Sequence, residues 1–84
     1  MQVKQRYVIT NAYGEFSTAT KNRRGDMLIF THNITDAKKW KSARGVDRHL
    51  EAMLCYYDVH TVISYLDSSD SVVYHATIGE FLCK

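Results

Sequence analysis

The stretch TDAKKWKSARGVDRHLEAMLCYY, residues 35–57, carries the chain's one clear helical pattern and lies between two regions that read as β-structure. At about 100° per residue, Ala43, Val46, Leu50, Met53, Leu54 and Tyr57 fall within one arc, with Lys38, Lys41, Arg44 and Arg48 opposite. The segment is therefore an amphipathic helix with a basic outer face, opened by Asn33 or Thr35 as N-cap and with Asp36 in its first turn. Two features disturb a single straight rod. Gly45 costs about 1 kcal/mol against alanine in a helix interior, and Lys39 falls inside the apolar arc with Trp40 at its margin. A break near Gly45 is expected, with Thr35 to Arg44 as a short first helix anchored by Trp40 and Asp47 capping a second that runs to about Tyr57.

Upstream, Arg6 to Thr10 and Glu15 to Thr20 alternate around Asn11-Ala12-Tyr13-Gly14, which predicts a β-hairpin with Asn11 and Gly14 as turn residues. The polar stretch Lys21 to Gly25 reads as an exposed loop, and the apolar run within Asp26 to Thr31 as a third, more deeply buried strand. Downstream, His60 to Leu66 and Ser71 to Thr77 form a second hairpin across Asp67-Ser68-Ser69-Asp70. The tail from Gly79 to Lys84 either extends the last strand or packs loosely. The order β-β-β-α(α)-β-β predicts a single α+β domain over residues 1–84: an antiparallel sheet of about five strands with one helix, broken near Gly45 or continuous, packed on one face. Edge strands left open in such a sheet are places where a second copy could pair, so a homodimer is among the expectations.

Eighty-four residues suffice for one small core and no second domain. The 45% hydrophobic and 24% charged fractions are those of a folding chain rather than a disordered one. Apolar runs such as Met27-Leu28-Ile29-Phe30 fall far short of the roughly 20 residues of a membrane span. Residues Met1 to Arg6 show no apolar signal region, so a cytoplasmic location is expected. Two cysteines are few for a secreted domain of this size, which favours free thiols; Cys55, at the end of the apolar arc, is expected to be buried and inert.

The net charge of +2 conceals a division: residues 1–50 carry +6 and residues 51–84 carry −4. Lys21, Arg23 and Arg24 form one basic group in the loop, and Lys38, Lys41, Arg44 and Arg48 another on the helix. Clustered cations of this kind suit an acidic protein surface or a nucleic-acid backbone, with Tyr13 or Phe16 available to stack on a base. The same residues would also be the solvated side of any amphipathic helix. The pI of 8.6 is below the value of about 9 usual in dedicated nucleic-acid domains, which favours the solvated-face reading over a nucleic-acid contact. Asp58, Asp67 and Asp70 read as solvated turn residues ahead of the other reading, a small anionic patch that occupies a partner's basic groove.

No pattern identifies a reaction. His32, His49, His60 and His75 are scattered, and Cys55 with His60 lacks the paired ligand spacing of a zinc site. The four glycines lie too far apart for a phosphate-binding loop, and Arg24-Gly25-Asp26 is read as a turn into the third strand. A nucleophilic Cys55 would need His49 or His75 beside it. No cofactor or metal and no enzymatic activity are expected.

The runs Arg6-Tyr7-Val8-Ile9-Thr10-Asn11-Ala12-Tyr13-Gly14-Glu15-Phe16 and Phe30-Thr31-His32-Asn33-Ile34-Thr35-Asp36-Ala37-Lys38-Lys39-Trp40 resemble the opening of small phage-encoded proteins. There, a Tyr-Val-Ile strand and glycine turn precede a strand ending in Phe-Thr and a helix beginning Ala-Lys-Lys-aromatic. Several proteins of this style inhibit bacterial defence, anti-CRISPR proteins among them, by occluding a surface of a host effector. The resemblance covers about the first half of the chain, carries no functional residue over, and implies a non-enzymatic inhibitor acting in the host cell on a defence or nucleic-acid-processing protein. The candidate contact residues are Arg23, Arg24, Lys38, Lys41, Arg44, Arg48 and Tyr13, with Tyr56 and Tyr65 as further anchors if exposed. The alternative is a small DNA- or RNA-binding accessory module using the same basic face.

Overall fold

A computed structural model describes residues 6–67, 69 and 71–82. The strands are β1 (Arg6–Thr10), β2 (Phe16–Lys21), β3 (Leu28–Thr31), β4 (Val62–Leu66) and β5 (Val72–Thr77). Helix α1 spans Ala43–Met53 and α2 spans Ile78–Leu82; 3₁₀ turns occupy Ile34–Asp36 and Leu54–Tyr56. The strands form one antiparallel sheet in the order β3-β2-β1-β4-β5, which is the expected α+β class. The β1–β2 turn is built by Asn11, whose Oδ1 accepts from the backbone N–H of Tyr13 and Glu15, and by Gly14 at φ 78°. The β2–β3 turn repeats the device: Asn22 Oδ1 accepts from Gly25 N–H, and Gly25 sits at φ 73°. Both pairings rest on an asparagine side chain mimicking a backbone turn and a glycine tolerating the left-handed region.

β1 and β2 pair only at Thr10 and Phe16, then part. Residues 37–40 fill the gap: Lys38 N–H donates to Ser17 O at 3.0 Å, and Trp40 exchanges both backbone bonds with Tyr7, at 2.8 and 2.9 Å. The chain thereby passes from one face of the sheet to the other. Ala37 joins Val8 and Leu66, with Phe16 and Ile34, in a small cluster on the first face. Trp40 joins Ile9, Ile63, Phe81 and the inner residues of α1, Val46 and Leu50, in the main core on the second. β1 and β4, which face packed side chains on both sides, hold the fully buried Val8, Ile9, Ile63 and Leu66.

This bridge corrects the expected helix. It does not begin at Thr35, because the backbone of Lys38 and Trp40 is committed to the sheet, and Asn33 caps only a single 3₁₀ turn. Lys39, anomalous in a helical arc, extends its Nζ to Ile34 O at 2.7 Å. The true N-cap is Ser42, whose Oγ accepts from Gly45 N–H. Nor is there a break at Gly45: α1 runs through it, and Asp47 lies inside the helix with a buried, unpartnered Oδ1 rather than capping anything. Gly45 is where the Trp40 indole presses on the helix; a Cβ there would lie 3.1 Å from Trp40 Cδ1. The Trp40 ring is buried in the main core and has little room to give, so Gly45→Ala is expected to lower the thermal midpoint, although an exposed helical Gly→Ala change would add up to about 1 kcal/mol. A raised midpoint in a thermal melt would contradict this packing.

Three further expectations are corrected. β3 is an edge strand with Ile29 exposed, not a buried one, because β2 covers it on one side only. The described part of the tail, as far as Leu82, does not extend β5 but forms a short helix. Thr77 and Glu80 form a reciprocal capping box, Thr77 N–H to Glu80 Oε1 at 3.0 Å and Glu80 N–H to Thr77 Oγ1 at 3.1 Å, which starts α2 and drives Phe81 into the core at 2% exposure. The Thr77 bonds also hold the Glu80 carboxyl below its ordinary range. Cys55 is free and exposed rather than buried, because the 3₁₀ turn after α1 rotates it out of the apolar arc. Ser68, Asp70, Cys83 and Lys84 lie outside the described residues.

Candidate interaction surface

All six candidate cations are exposed, and among the described residues none pairs with a carboxylate. Arg23 and Arg24 occupy the β2–β3 turn, while Lys38 and Lys41 lie on the segment leading into α1. Arg44 and Arg48 stand one turn apart on α1, facing away from Val46 and Leu50. Lys38 Nζ lies 6.0 Å from the Trp40 ring centre, within reach of a cation–π contact. The hairpin is tied to the far end of the helix: Tyr56 Oη donates to Gly25 O at 2.9 Å, and Lys21 Nζ sits 5.4 Å over the Tyr56 ring. The turn carrying Arg23 and Arg24 is thus tied to the segment that follows α1, while Lys38 and Lys41 precede the helix and Arg44 and Arg48 lie on its first two turns.

Tyr13, 82% exposed, lies on the β1–β2 turn at the rim of an open groove of about 410 Å³. Its walls come from three segments: the β1–β2 turn, the start of β3 with Met27 and Phe30, and Cys55–Asp58 after α1. Tyr56 and Tyr65 are half-buried, so of the tyrosines named as anchors Tyr13 alone is fully exposed. A second, smaller groove of about 330 Å³ lies between Leu54, Val59 and Ile78, on the other side of Tyr57 and Asp58. Neither groove was visible in the sequence, because the walls of the first come from residues up to fifty positions apart, Asn11 to Thr61, and those of the second from both sides of β4 and β5, Leu54 to Gly79. Asp58 and Asp67 act as turn residues, their Oδ1 atoms accepting from the backbone N–H of His60, and of Ser69 and Ser71, respectively.

Beneath the groove runs a chain of polar groups. His49 Nε2 and Ser17 Oγ both bond Tyr57 Oη, and Ser17 Oγ, fully buried, also accepts from Ala19 N–H at 3.1 Å. Ala19 sits at φ 58°, the left-handed region an alanine rarely occupies, where the β2–β3 register shifts. Burial and the nearby Lys38 charge push the His49 pKa below its ordinary value; burial pushes Tyr57 up, partly offset by the Ser17 bond. Both groups are neutral at pH 7. With Ser17 sealed from solvent and His49 engaged by Tyr57, this chain fastens α1 and the segment after it to β2.

Among the described residues, no group of three His, Cys, Asp or Glu side chains is placed to hold a metal ion, and no helix is long and apolar enough to cross a membrane. The chain matches no protein-family model, no curated protein and no solved structure.

Proposed function

We propose that this is a non-enzymatic binding protein that covers an acidic functional surface of a protein partner, in the manner of the phage-encoded defence inhibitors its opening resembles, within the cytoplasm of the host cell. The observation that carries the reading is that Arg23, Arg24, Lys38, Lys41, Arg44 and Arg48 are exposed and unpaired with acids among the described residues. Cations neutralised internally would be unavailable to a partner; these are free to steer and hold one. An interface of ordinary size, about 800 Å² per partner, would take a substantial share of the 5817 Å² surface. Pairing of β5 with β5 of a second copy is compatible with this reading, since Val72–Thr77 is an edge strand without lysine, arginine, aspartate or glutamate.

Affinity capture from a nuclease-treated bacterial host lysate at moderate salt tests the proposal. The wild-type chain should retain a specific protein that the R23E/R24E/R44E/R48E variant does not. Recovery of no specific protein would overturn it. Low-salt gel shifts test the nucleic-acid alternative: phosphate binding would weaken with a log–log salt slope of about −0.9 per phosphate neutralised on duplex DNA, and no shift of DNA or RNA is expected.

A further inference from the structure

The groove bounded by Asn11–Glu15, Met27–Phe30 and Cys55–Asp58 has the opposite electrostatic character to the basic groups near it. Four aromatic side chains line it, Tyr13, Phe30, Tyr56 and Tyr57, together with the carboxylates of Glu15 and Asp58; no lysine or arginine does. Three of the rings are held in place. Tyr56 Oη is bonded to Gly25 O, Tyr57 Oη to Ser17 and His49, and Phe30 packs edge-on against Tyr57 with centroids 6.2 Å apart. The carboxylates are held too, each by one oxygen: Asn11 Nδ2 donates to Glu15 Oε1 at 3.0 Å, and His60 N–H and Thr61 Oγ1 donate to Asp58 Oδ1. The second oxygen of Glu15 is paired with the exposed His32 ring at 3.2 Å, and that of Asp58 has no partner among the described residues, so the spare carboxylate oxygen is Asp58's.

Fixed aromatic faces attract cations through their quadrupole, and a carboxylate with a spare oxygen adds a charge-assisted bond. The Tyr56 ring already draws Lys21 from within the chain. The volume of about 410 Å³ exceeds one side chain and suits a side chain with its flanking backbone. We infer that this groove receives a cationic side chain, guanidinium or ammonium, from a basic segment of a partner polypeptide. The inference goes beyond the function proposed above, since it assigns the partner a basic segment as well as an acidic surface, and it does not depend on the exposed arginines.

The test is an NMR titration of the full chain with capped tripeptides Gly-Arg-Gly, Gly-Lys-Gly and the neutral isostere Gly-citrulline-Gly. The arginine or lysine peptide should shift the resonances of Tyr13, Phe30 and Tyr56, and whichever binds more tightly identifies the head group. The citrulline peptide should bind at least about tenfold more weakly. The E15Q/D58N variant keeps an amide oxygen for each turn bond, so the fold should be retained, while affinity for the charged peptide falls at least about tenfold. Equal binding of citrulline and arginine peptides, undiminished binding to E15Q/D58N, or no shifts at these rings with any peptide would overturn the inference. A negative result would leave the capture experiment with the arginine variant unaffected.

Discussion

Trp40→Ala is expected to destabilise the protein by about 3–5 kcal/mol, the range for large aromatic truncations in a core. Trp40 is 9% exposed and holds three structures together. Its backbone closes the gap beside β1, its ring packs with Ile9, Ile63 and Val46, and it lies 4.9 Å from the His49 ring. Gly45 leaves no side chain that could swing into the space, so the cavity stays open and the neighbouring groups lose their contacts. Natural domains hold only about 5–15 kcal/mol in total, and 1 kcal/mol moves the midpoint of a domain this small by about 4–8 °C. A thermal melt should show a fall of at least about 12 °C. A fall of only a few degrees would mean that the 37–40 segment does not seal the core.

Tyr57→Phe is expected to cost about 1–3 kcal/mol, since it removes one hydroxyl and leaves the buried Ser17 and His49 short of a partner. The same cluster sets a pH dependence. His49 is lowered from the ordinary value of 6.5, so the unfolded chain takes up its proton first as the solution is acidified. The stabilisation is complete above about pH 6.5 and is lost as pH falls from there through the lower folded value. Tyr57 is raised above 10.0, so folding favours its neutral form, and its stabilisation is lost as pH rises past 10 toward the folded value. Urea midpoints measured across pH should decline on both sides. The acid decline should be reduced in His49→Gln and the alkaline decline in Tyr57→Phe. An unchanged profile in both variants would contradict the assignment.

The strands were legible because alternating β-branched and aromatic residues, broken by Asn11-x-x-Gly14 and Asn22-x-x-Gly25, are local signals of hairpins. The helix start was not, because Lys38 and Trp40 are claimed by partners some twenty and thirty residues away, which no periodicity reports. One signal was present and outranked, Lys39 in the apolar arc; Ser42, a residue type suited to an N-cap, was a second that was passed over. α2 carried a readable capping box in Thr77-x-x-Glu80, which the short tail beyond it obscured. The exposure of Arg44 and Arg48 followed from helix geometry and that of Arg23 and Arg24 from the polar turn, whereas Lys38 and Lys41 are exposed on the segment before α1, which the helical pattern assigns to the helix. The groove did not, since Tyr13, Phe30 and Tyr56 converge only through the turn chemistry and the Tyr56–Gly25 bond.

Hydrogen exchange on the chain with its captured partner bears most directly on the contact role of the basic surface. Slowed exchange is expected in the Arg23–Met27 turn and across Lys38–Arg48, and it should be absent when the R23E/R24E/R44E/R48E variant is mixed with the same partner. Protection confined to β5, with both basic segments exchanging as in the free chain, would contradict the account.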